Sequence, residues 1–352
     1  MPLPQEEIVL VNGKVLSVEK VTGETYKEVT FKVKGGSSGR RDADKVRAVN
    51  HDLSSPSLDD YVLALEAMDG GKYVDAIQLL NEVLDDSRVI RSKPWVVQHS
   101  LNLQIRCMFS LADFEGVAVT VDKLLQKEPN TFFYAPALMA KAEAKALAGD
   151  RVGARSVYGQ LSSEISAKEL PERWAREAEL GSLLLDDSVK GSAKMSKLQQ
   201  LVEKNRNEFP TVASRANVEI GNIMVQNKDY DRAQNFFEDI VKGGQADDMV
   251  EAAAYSGLGD VYYQRGLNTE DLNEAKVHFK TAALNHLRVA LTYKDQIRLV
   301  PRSLFYAAES YHRVGGEEGK FHSRRIAGRL VNAYPRSPWA PRVMEALNLR
   351  GG

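Results

Sequence analysis

The feature that most constrains this chain is a pair of small residues, twelve positions apart, that recurs on either side of a turn. Ala64 is followed by Ala76, and Gly221 is followed by Ala233, with glycine or aspartate in the turn between them. The same spacing recurs elsewhere, at Ala142 with Ala154 and, with larger residues, at Ile105 with Val117. Two antiparallel helices approach closely only where small side chains face each other. The spacing therefore predicts a series of helical hairpins.

Large apolar residues follow the second small residue at four and seven positions. The pairs are Leu80 and Val83, Val121 and Leu124, Tyr158 and Leu161, and Phe237 and Ile240. We expect these side chains to pack on the next hairpin. A single hairpin cannot bury both of its faces, so stacking into a solenoid would supply the stability.

These residues resemble the tetratricopeptide repeat (TPR) family, and the resemblance extends from residue 58 to about residue 350. It is strong at 58–85 and 212–243, good at 98–130 and degenerate at 170–210. The resemblance implies a mainly α fold, a right-handed α-helical hairpin solenoid of about seven TPR-like repeats. The intervals between repeats exceed the roughly 34 residues of the family, so we expect longer helices or loops.

Two segments near the C-terminus depart from a plain repeat. The hairpin at 248–286 carries four extra residues around Leu267-Asn-Thr-Glu270. The segment 333–340 resembles a junction found in bacterial envelope TPR proteins of the Tol-Pal-associated type, and a helix at 338–348 is expected to cap the array. This junction, together with a start that lacks a signal peptide, favours a bacterial cell-envelope protein whose export signal was removed. A cytoplasmic scaffold is the alternative.

Residues 7–51 have the period of two that is typical of strands. In Glu28–Lys34, for example, Val29, Phe31 and Val33 alternate on one face. We predict four or five strands in a small all-β barrel-like module of SH3-like or Sm-like size, followed by a short linker. The chain would then divide into a β module at 1–52 and a helical repeat region at 53–352. A module of this size is marginal alone and is expected to dock on the helices that follow.

A glycine-rich segment at 35–39 requires a separate interpretation. It is followed by Arg40-Arg41, without the Lys-Ser/Thr and the helix that a phosphate-binding loop requires, so we interpret it as a hairpin loop. The nearby basic residues offer nucleic-acid binding as an alternative function; they are Arg40, Arg41, Lys45 and Arg47. No aromatic residues are interleaved with them to stack bases, which disfavours that function.

Composition excludes several classes of partner and chemistry. With 47 basic and 48 acidic residues, the net charge of −1 creates no global field for nucleic acid or an anionic membrane. The single cysteine, Cys107, cannot form an intramolecular disulfide, and no Cys/His spacing resembles a zinc site. We therefore expect no metal, no cofactor, no transmembrane segment and no catalytic residue. An enzyme or regulatory subunit with an unrecognised site is the alternative, which a closed pocket of perturbed carboxylates or histidines would support.

The resemblance also implies where a partner would bind, because the first helix of each hairpin lines the concave face in this family. The residues so placed are His99, Asn102, Arg106, Arg215, Asn222, Gln226, Asp260, Tyr263, Gln264, Arg302, Phe305, Glu309, His312 and Arg313. Asn222 fits one position of the family's carboxylate clamp, but Ala253 and Gly257 do not fit the partner positions, so no such clamp is expected. A solvated polar helix face is the alternative interpretation of each residue. The function expected is a non-enzymatic scaffold that binds a protein or peptide, assembles with its own copies, or does both.

Overall fold

The computed structural model describes residues 6–33, 35–243, 247–296 and 298–348. The chain divides into two compact units, of which the first comprises Met1–Phe109 and Asp113–Leu185 and the second comprises Ser110–Ala112 and Asp186–Gly352. The domain boundary predicted between residues 52 and 53 lies where the strands of the β module are followed by helices. The boundary between the compact units lies later, inside the segment where the repeat pattern is degenerate. Within the described ranges, no helix is long and apolar enough to span a membrane.

The N-terminal module consists of two three-stranded antiparallel sheets, with strand orders β2-β1-β6 and β3-β4-β5. The strands are β1 (Glu6–Leu10), β2 (Val15–Val18), β3 (Lys20–Glu24), β4 (Glu28–Lys32), β5 (Ser38–Asp42) and β6 (Val46–Asn50). Both sheets contribute to one apolar core, in which Ile8 and Val49 of the first sheet meet Val29 and Phe31 of the second. The described part of this module thus has six strands, whereas the sequence predicted four or five.

The strand that the sequence pattern missed is β5, most of which has polar, exposed side chains. It pairs in register with β4, and Gly39 lies directly against the ring of Phe31, where a Cβ atom would come within 2.5 Å of the ring. Ser38 and Gly39, which the sequence assigned to the hairpin loop, therefore lie on a strand together with Arg40 and Arg41. Because β5 contributes backbone pairing and little apolar surface, it lacks the alternation by which a strand is recognised in sequence.

Helices make up the rest of the described chain, apart from short connections and one 3₁₀ turn before α1. They are α1 (Asp59–Asp69), α2 (Tyr73–Asp85), α3 (Ser87–Ser92), α4 (Trp95–Ser110), α5 (Phe114–Lys127), α6 (Tyr134–Leu147), α7 (Arg151–Lys168), α8 (Arg173–Leu184), α9 (Gly191–Asn205), α10 (Pro210–Gln226), α11 (Tyr230–Lys242), α12 (Asp248–Asn268), α13 (Leu272–Thr292), α14 (Val300–Val314), α15 (Gly316–Ala333) and α16 (Trp339–Ala346). In the first unit α1 packs on α2 and α6 on α7; in the second, α10 packs on α11, α12 on α13 and α14 on α15. The predicted fold class, mainly α with helical-hairpin repeats after a small β module, is confirmed.

The small residues that predicted the hairpins lie where the helices meet. Ala64 and Ala76 are fully buried, as are Ala142 and Ala154. The lengthened hairpin is also present: α12 and α13 have 21 residues each, so the extra residues lengthen the helices and not the loop. At the C-terminal end, α16 lies against α14 and α15 as a final helix.

Candidate functional site

Asp260 and Arg302, which the sequence predicts to face a partner, bind each other. Asp260 lies on α12 and Arg302 on α14, the first helices of two adjacent hairpins. The guanidinium Nη2 donates to both carboxylate oxygens at 2.9 and 2.8 Å, and Nη1 donates to Ser256 Oγ at 2.8 Å. The guanidinium also lies 4.6 Å from the ring centroid of Tyr306. A bidentate pair of this kind is geometrically specific, and here it fastens adjacent hairpins together.

A second contact across the same two helices lies further along them. Tyr263 donates its hydroxyl hydrogen to Glu309 at 2.5 Å, and Arg313 donates to the same carboxylate at 2.8 Å. Tyr263 is buried, and this hydrogen bond adds to the burial that raises its pKa. Phe305 is buried too, against Trp339 of α16. The aromatic and charged residues predicted on α12 and α14 therefore largely hold the hairpins together, while His312 remains exposed and Gln264 is half-buried.

On α10 the three predicted residues share one side of the helix. Asn222 donates to Glu219 at 3.3 Å, Gln226 is exposed and Arg215 is half-buried. Burial raises the pKa of Glu219, against the opposing effects of Asn222, Arg215 and Lys194. This side of α10 is polar and partly satisfied by its own neighbours.

A groove of about 630 Å³ lies on the opposite side of α10, between α9 and α11. Ala213, Asn217, Ile220 and Met224 recur at helical spacing and form its floor. Polar and charged groups from the flanking helices complete the lining, among them Glu203, Arg232 and Asp239, together with the aromatic Phe236. The sequence did not predict this groove, because its floor has the same apolar periodicity as a packed helix face.

In the first unit, the predicted residue His99 of α4 faces the β module. Its Nε2 lies 2.8 Å from Glu24 Oε2, a carboxylate at the end of β3. His51, which directly follows β6, lies with its Nε2 2.5 Å from the other oxygen, Glu24 Oε1. Asn102, one turn further along α4, lines a cavity of about 360 Å³ with residues of the β module, and Arg106 is exposed. At His99 and Asn102, the face of α4 expected to meet a partner thus meets the chain's own N-terminal module.

Aromatic rings hold the two imidazoles in place. His51 stacks on Trp95 with ring centroids 4.0 Å apart and planes 2° apart. His99 meets the edge of Trp95 at 5.4 Å and of Phe133 at 5.1 Å. Such contacts restrict the side-chain rotamers, so the positions of both Nε2 atoms are fixed by packing.

The charges of this cluster depend on its hydrogen bonds. The side chain of Glu24 is 2% exposed, and burial alone would raise its pKa, but hydrogen bonds from His51 and His99 outweigh burial and lower it to about 2. For His51 burial favours the neutral ring, and the contacts with Glu24 and Glu6 outweigh it and raise the pKa. Glu24 is therefore ionised at neutral pH although it is buried.

Further contacts fasten the β module to the helices. Gln98 of α4 donates from Nε2 to the backbone carbonyl oxygen of Glu24 at 3.5 Å, and its Oε1 accepts hydrogen bonds from Thr131 Oγ1 at 2.7 Å and from the backbone of Phe132 at 3.0 Å. Lys27 pairs with Glu169 at 2.5 Å, and Thr25 forms an isolated β-bridge with Thr131. The expected docking of the module on the helices is present.

The basic residues considered for nucleic acid are partly neutralised within the module. Arg40 lies 3.7 Å from Glu28, and Lys45 lies 3.2 Å from Asp44. Arg41 lies over the ring of Phe31. Cys107, on α4, is fully buried, and burial raises the pKa of its thiol to about 12, so the thiol stays protonated and unreactive.

Comparisons with known proteins add little beyond the fold described above. No family model matches the sequence, and no curated protein matches it. Among solved structures, a signal-transduction ATPase (STAND) protein with a tetratricopeptide repeat sensor, from Pyrococcus horikoshii, is 14% identical with a TM-score of 0.40. That match covers 84% of this chain and 50% of that one, so the chain spans half the length of that protein. Yeast Tom70 is 13% identical with a TM-score of 0.25, over 85% of this chain and 89% of that one. The helical hairpins themselves define the chain as a helical-repeat protein.

Proposed function

We propose that this protein is a non-enzymatic scaffold that binds a segment of a partner protein in the groove between α9, α10 and α11. The groove on α10 is the observation that carries the proposal. It is large enough for several side chains, its floor is apolar except for Asn217, and its rims carry polar and charged groups. Binding sites in repeat proteins combine these properties on an extended surface.

The partner that suits this lining is an amphipathic helix. Floor residues recur along α10 over three turns, from Ala213 to Met224, and would meet apolar side chains at positions i, i+3, i+4 and i+7 of the partner. Charged groups of both signs line the rims, with Arg232 and Asp239 on α11 and Glu203 on α9. They would contact polar groups at the edges of such a helix and restrict its register.

Binding on the opposite side of α10, as the TPR resemblance implies, remains a competing proposal that one experiment separates from the first. A photo-reactive amino acid is placed at Asn217, in the groove, or at Gln226, on the opposite side of the same helix. Cells of the native source are irradiated, and cross-linked proteins are identified by mass spectrometry. We expect one reproducible partner from position 217 and none from position 226.

The purified partner then gives a quantitative test. Asn217→Arg places a charged side chain over the floor and should raise the Kd at least about tenfold, whereas the matched control Gln226→Arg should change it less than about twofold. The reverse pattern would assign binding to the side of α10 that the sequence predicted. The absence of a cross-linked partner at both positions would contradict the scaffold function in this unit.

A second candidate function, an enzyme or regulatory subunit, is favoured by the cluster around Glu24. Perturbed carboxylates and histidines beside a cavity mark functional sites more often than chance. Scaffold function has the better support because both oxygens of Glu24 are engaged by His51 and His99, and a substrate would have to displace one of these hydrogen bonds to reach that carboxylate. Turnover of a substrate by the wild type, abolished by Glu24→Gln, would favour the enzyme instead.

A further inference from the structure

The cluster of Glu24, His51 and His99 has the composition of a transition-metal site. One ring nitrogen from each of His51 and His99 and one carboxylate oxygen of Glu24 all lie within 4.8 Å of one another. Two imidazoles and one carboxylate form a ligand set that is common in zinc proteins, with a water as the fourth ligand. Calcium and magnesium prefer oxygen ligands, so a nitrogen-rich set selects against them.

The three ligands come from distant parts of the chain and are held in place before any metal binds. Glu24 is at the end of β3, His51 follows β6 and His99 is in α4. Stacking on Trp95 orients the ring of His51, and edge contacts with Trp95 and Phe133 orient the ring of His99. Ligands that are already in position lose little conformational entropy on binding, which favours affinity.

A second carboxylate stands behind one of the imidazoles. Glu6 Oε1 lies 3.6 Å from His51 Nδ1, and that nitrogen is buried without a hydrogen-bond partner in the structure. A metal-bound histidine donates its other N–H group to a carboxylate in most metal sites. The other oxygen of Glu6 accepts a hydrogen bond from the backbone amide of Val21, which holds the carboxylate near His51. After a small movement, Glu6 would accept the hydrogen of His51 Nδ1.

The space beside the cluster would admit an ion and a water. A cavity of about 450 Å³ borders the cluster on the side of Glu24 and His51, and Glu6, Trp95 and Gln98 are also among its lining residues. The nitrogen-to-oxygen distances of 2.5 and 2.8 Å are hydrogen-bond lengths, whereas donors around a tetrahedral zinc ion are separated by roughly 3.3 Å. Metal binding would therefore lengthen both of these contacts by less than about 1 Å.

We propose that Glu24, His51 and His99 bind one divalent transition-metal ion, zinc being the best match, with Glu6 supporting His51 from behind. The ion would replace the two protons that now bridge the imidazoles to the carboxylate. It would also fasten β3 and β6 to α4, and so link the β module to the helices of the first unit. Unlike the scaffold function, this site does not depend on the groove on α10.

The test uses the purified full chain, stripped with a chelator and titrated with zinc at pH 7 against a chromophoric competitor. We expect one equivalent of zinc per chain with a Kd below about 1 μM, and a loss of affinity of at least about 100-fold in Glu24→Gln and in His99→Gln. His99→Gln keeps an amide that can donate to Glu24, so the packing between β3 and α4 is retained. Circular dichroism and melting curves confirm that each variant is folded.

The matched control is Glu274→Gln, which removes the exposed carboxylate of another Glu–His pair, Glu274 and the half-buried His278, at 3.9 Å on α13. It should leave zinc affinity within about twofold of the wild type. Cobalt substitution gives a second measurement, since four-coordinate cobalt absorbs far more strongly in the visible range than the hydrated ion. A wild-type Kd weaker than about 10 μM, equal losses in Glu24→Gln and Glu274→Gln, or a cobalt spectrum identical to that of the hydrated ion would each overturn the proposal.

Discussion

At the scale of single residues, Glu24 combines deep burial with a negative charge, and two histidines make this combination stable. Its pKa is about 2, lowered from 4.5, because hydrogen bonds from His51 and His99 outweigh the burial that would raise it. The pKa of His51 is raised above 6.5, since its contacts with Glu24 and Glu6 outweigh its own burial. Because the two pKa shifts have opposite signs, the cluster stabilises the fold most within a limited range of pH.

The sign of each shift gives the first prediction. Glu24, with its pKa lowered, stabilises the fold above pH 4.5, and this contribution is lost as the pH falls toward 2. His51, with its pKa raised, stabilises the fold below pH 6.5, and its contribution is lost as the pH rises through the folded-state value. In metal-free buffer, the stability difference between wild type and Glu24→Gln should therefore be largest between pH 4.5 and 6.5. There it should reach about 3 kcal/mol.

Urea denaturation across pH 3 to 9, with a chelator present throughout, measures this difference. The pair of Glu274 and His278 again supplies the control, since the carboxylate of Glu274 is exposed and Glu274→Gln should show a difference below about 0.5 kcal/mol at every pH. A pH-independent difference between wild type and Glu24→Gln would mean that packing, and not ionisation, accounts for the effect.

Arg302 gives a second prediction at this scale, because it is the bidentate partner of Asp260. Arg302→Met takes the guanidinium away from a mostly buried carboxylate, near which His286 Nε2 lies at 3.6 Å, and should cost about 2–4 kcal/mol of unfolding free energy. Arg302→Met combined with Asp260→Asn removes the charge as well, and should recover about half of that loss. Chemical denaturation of both variants checks this expectation, and a double variant no more stable than the single one would show that the ion pair is not the source of the loss.

At the scale of helices, the close approach of α10, α11 and α12 depends on one aromatic ring. Phe237 of α11 is fully buried between Gly221 of α10 and Gly257 of α12. A Cβ atom would lie 2.6 Å from its ring at Gly221 and 2.3 Å at Gly257. The expectation that Phe237 packs on the next hairpin is confirmed, and glycine is required at position 257 by lack of space.

Substitution of these glycines should reverse the usual effect of alanine in a helix. Gly257→Ala should destabilise the second unit by about 1–3 kcal/mol, because the ring of Phe237 and both helices must shift. Gly328→Ala on α15 is the matched control: its Cβ would meet nothing within 4 Å, and it should stabilise by about 0.5–1 kcal/mol through helix propensity. Urea denaturation measures both, and equal signs for the two variants would contradict this account of helix packing.

How much the sequence could predict differs between kinds of contact. Contacts inside a hairpin, such as Ala64 with Ala76, involve residues close along the chain, so helical periodicity was enough to predict them. The cluster around Glu24 could not be predicted in this way, because His51 is 27 residues from Glu24 and His99 is 75 residues from it. The strand β5 was missed for a different reason: its polar side chains are exposed, and it is held by backbone pairing that leaves no pattern in residue type.

At the scale of the whole chain, the two compact units differ in what holds them together. The first contains strands as well as helices, joined by the Glu24 cluster and by the hydrogen bond from Gln98 to the backbone of Glu24, while the second consists of helices that pack in chain order. In repeat proteins, stability is close to a sum of terms for single repeats and for nearest neighbours. A local substitution should therefore loosen the nearby hairpins first and have less effect further along the chain.

This reasoning predicts distinct patterns of amide hydrogen exchange for two substitutions already described. Glu24→Gln should accelerate exchange in β3, β6 and α4, and leave α12 to α15 unchanged. Gly257→Ala should accelerate exchange in α10 to α12, because the contact that it alters is with Phe237 of α11. Exchange in the β module should stay unchanged. Hydrogen exchange is followed by mass spectrometry on both variants, at one pH and with a chelator present. This measurement follows the strands and helices separately in a single experiment. Acceleration spread evenly over the described chain in either variant would mean that the protein opens as one cooperative body, against the local behaviour expected of stacked hairpins.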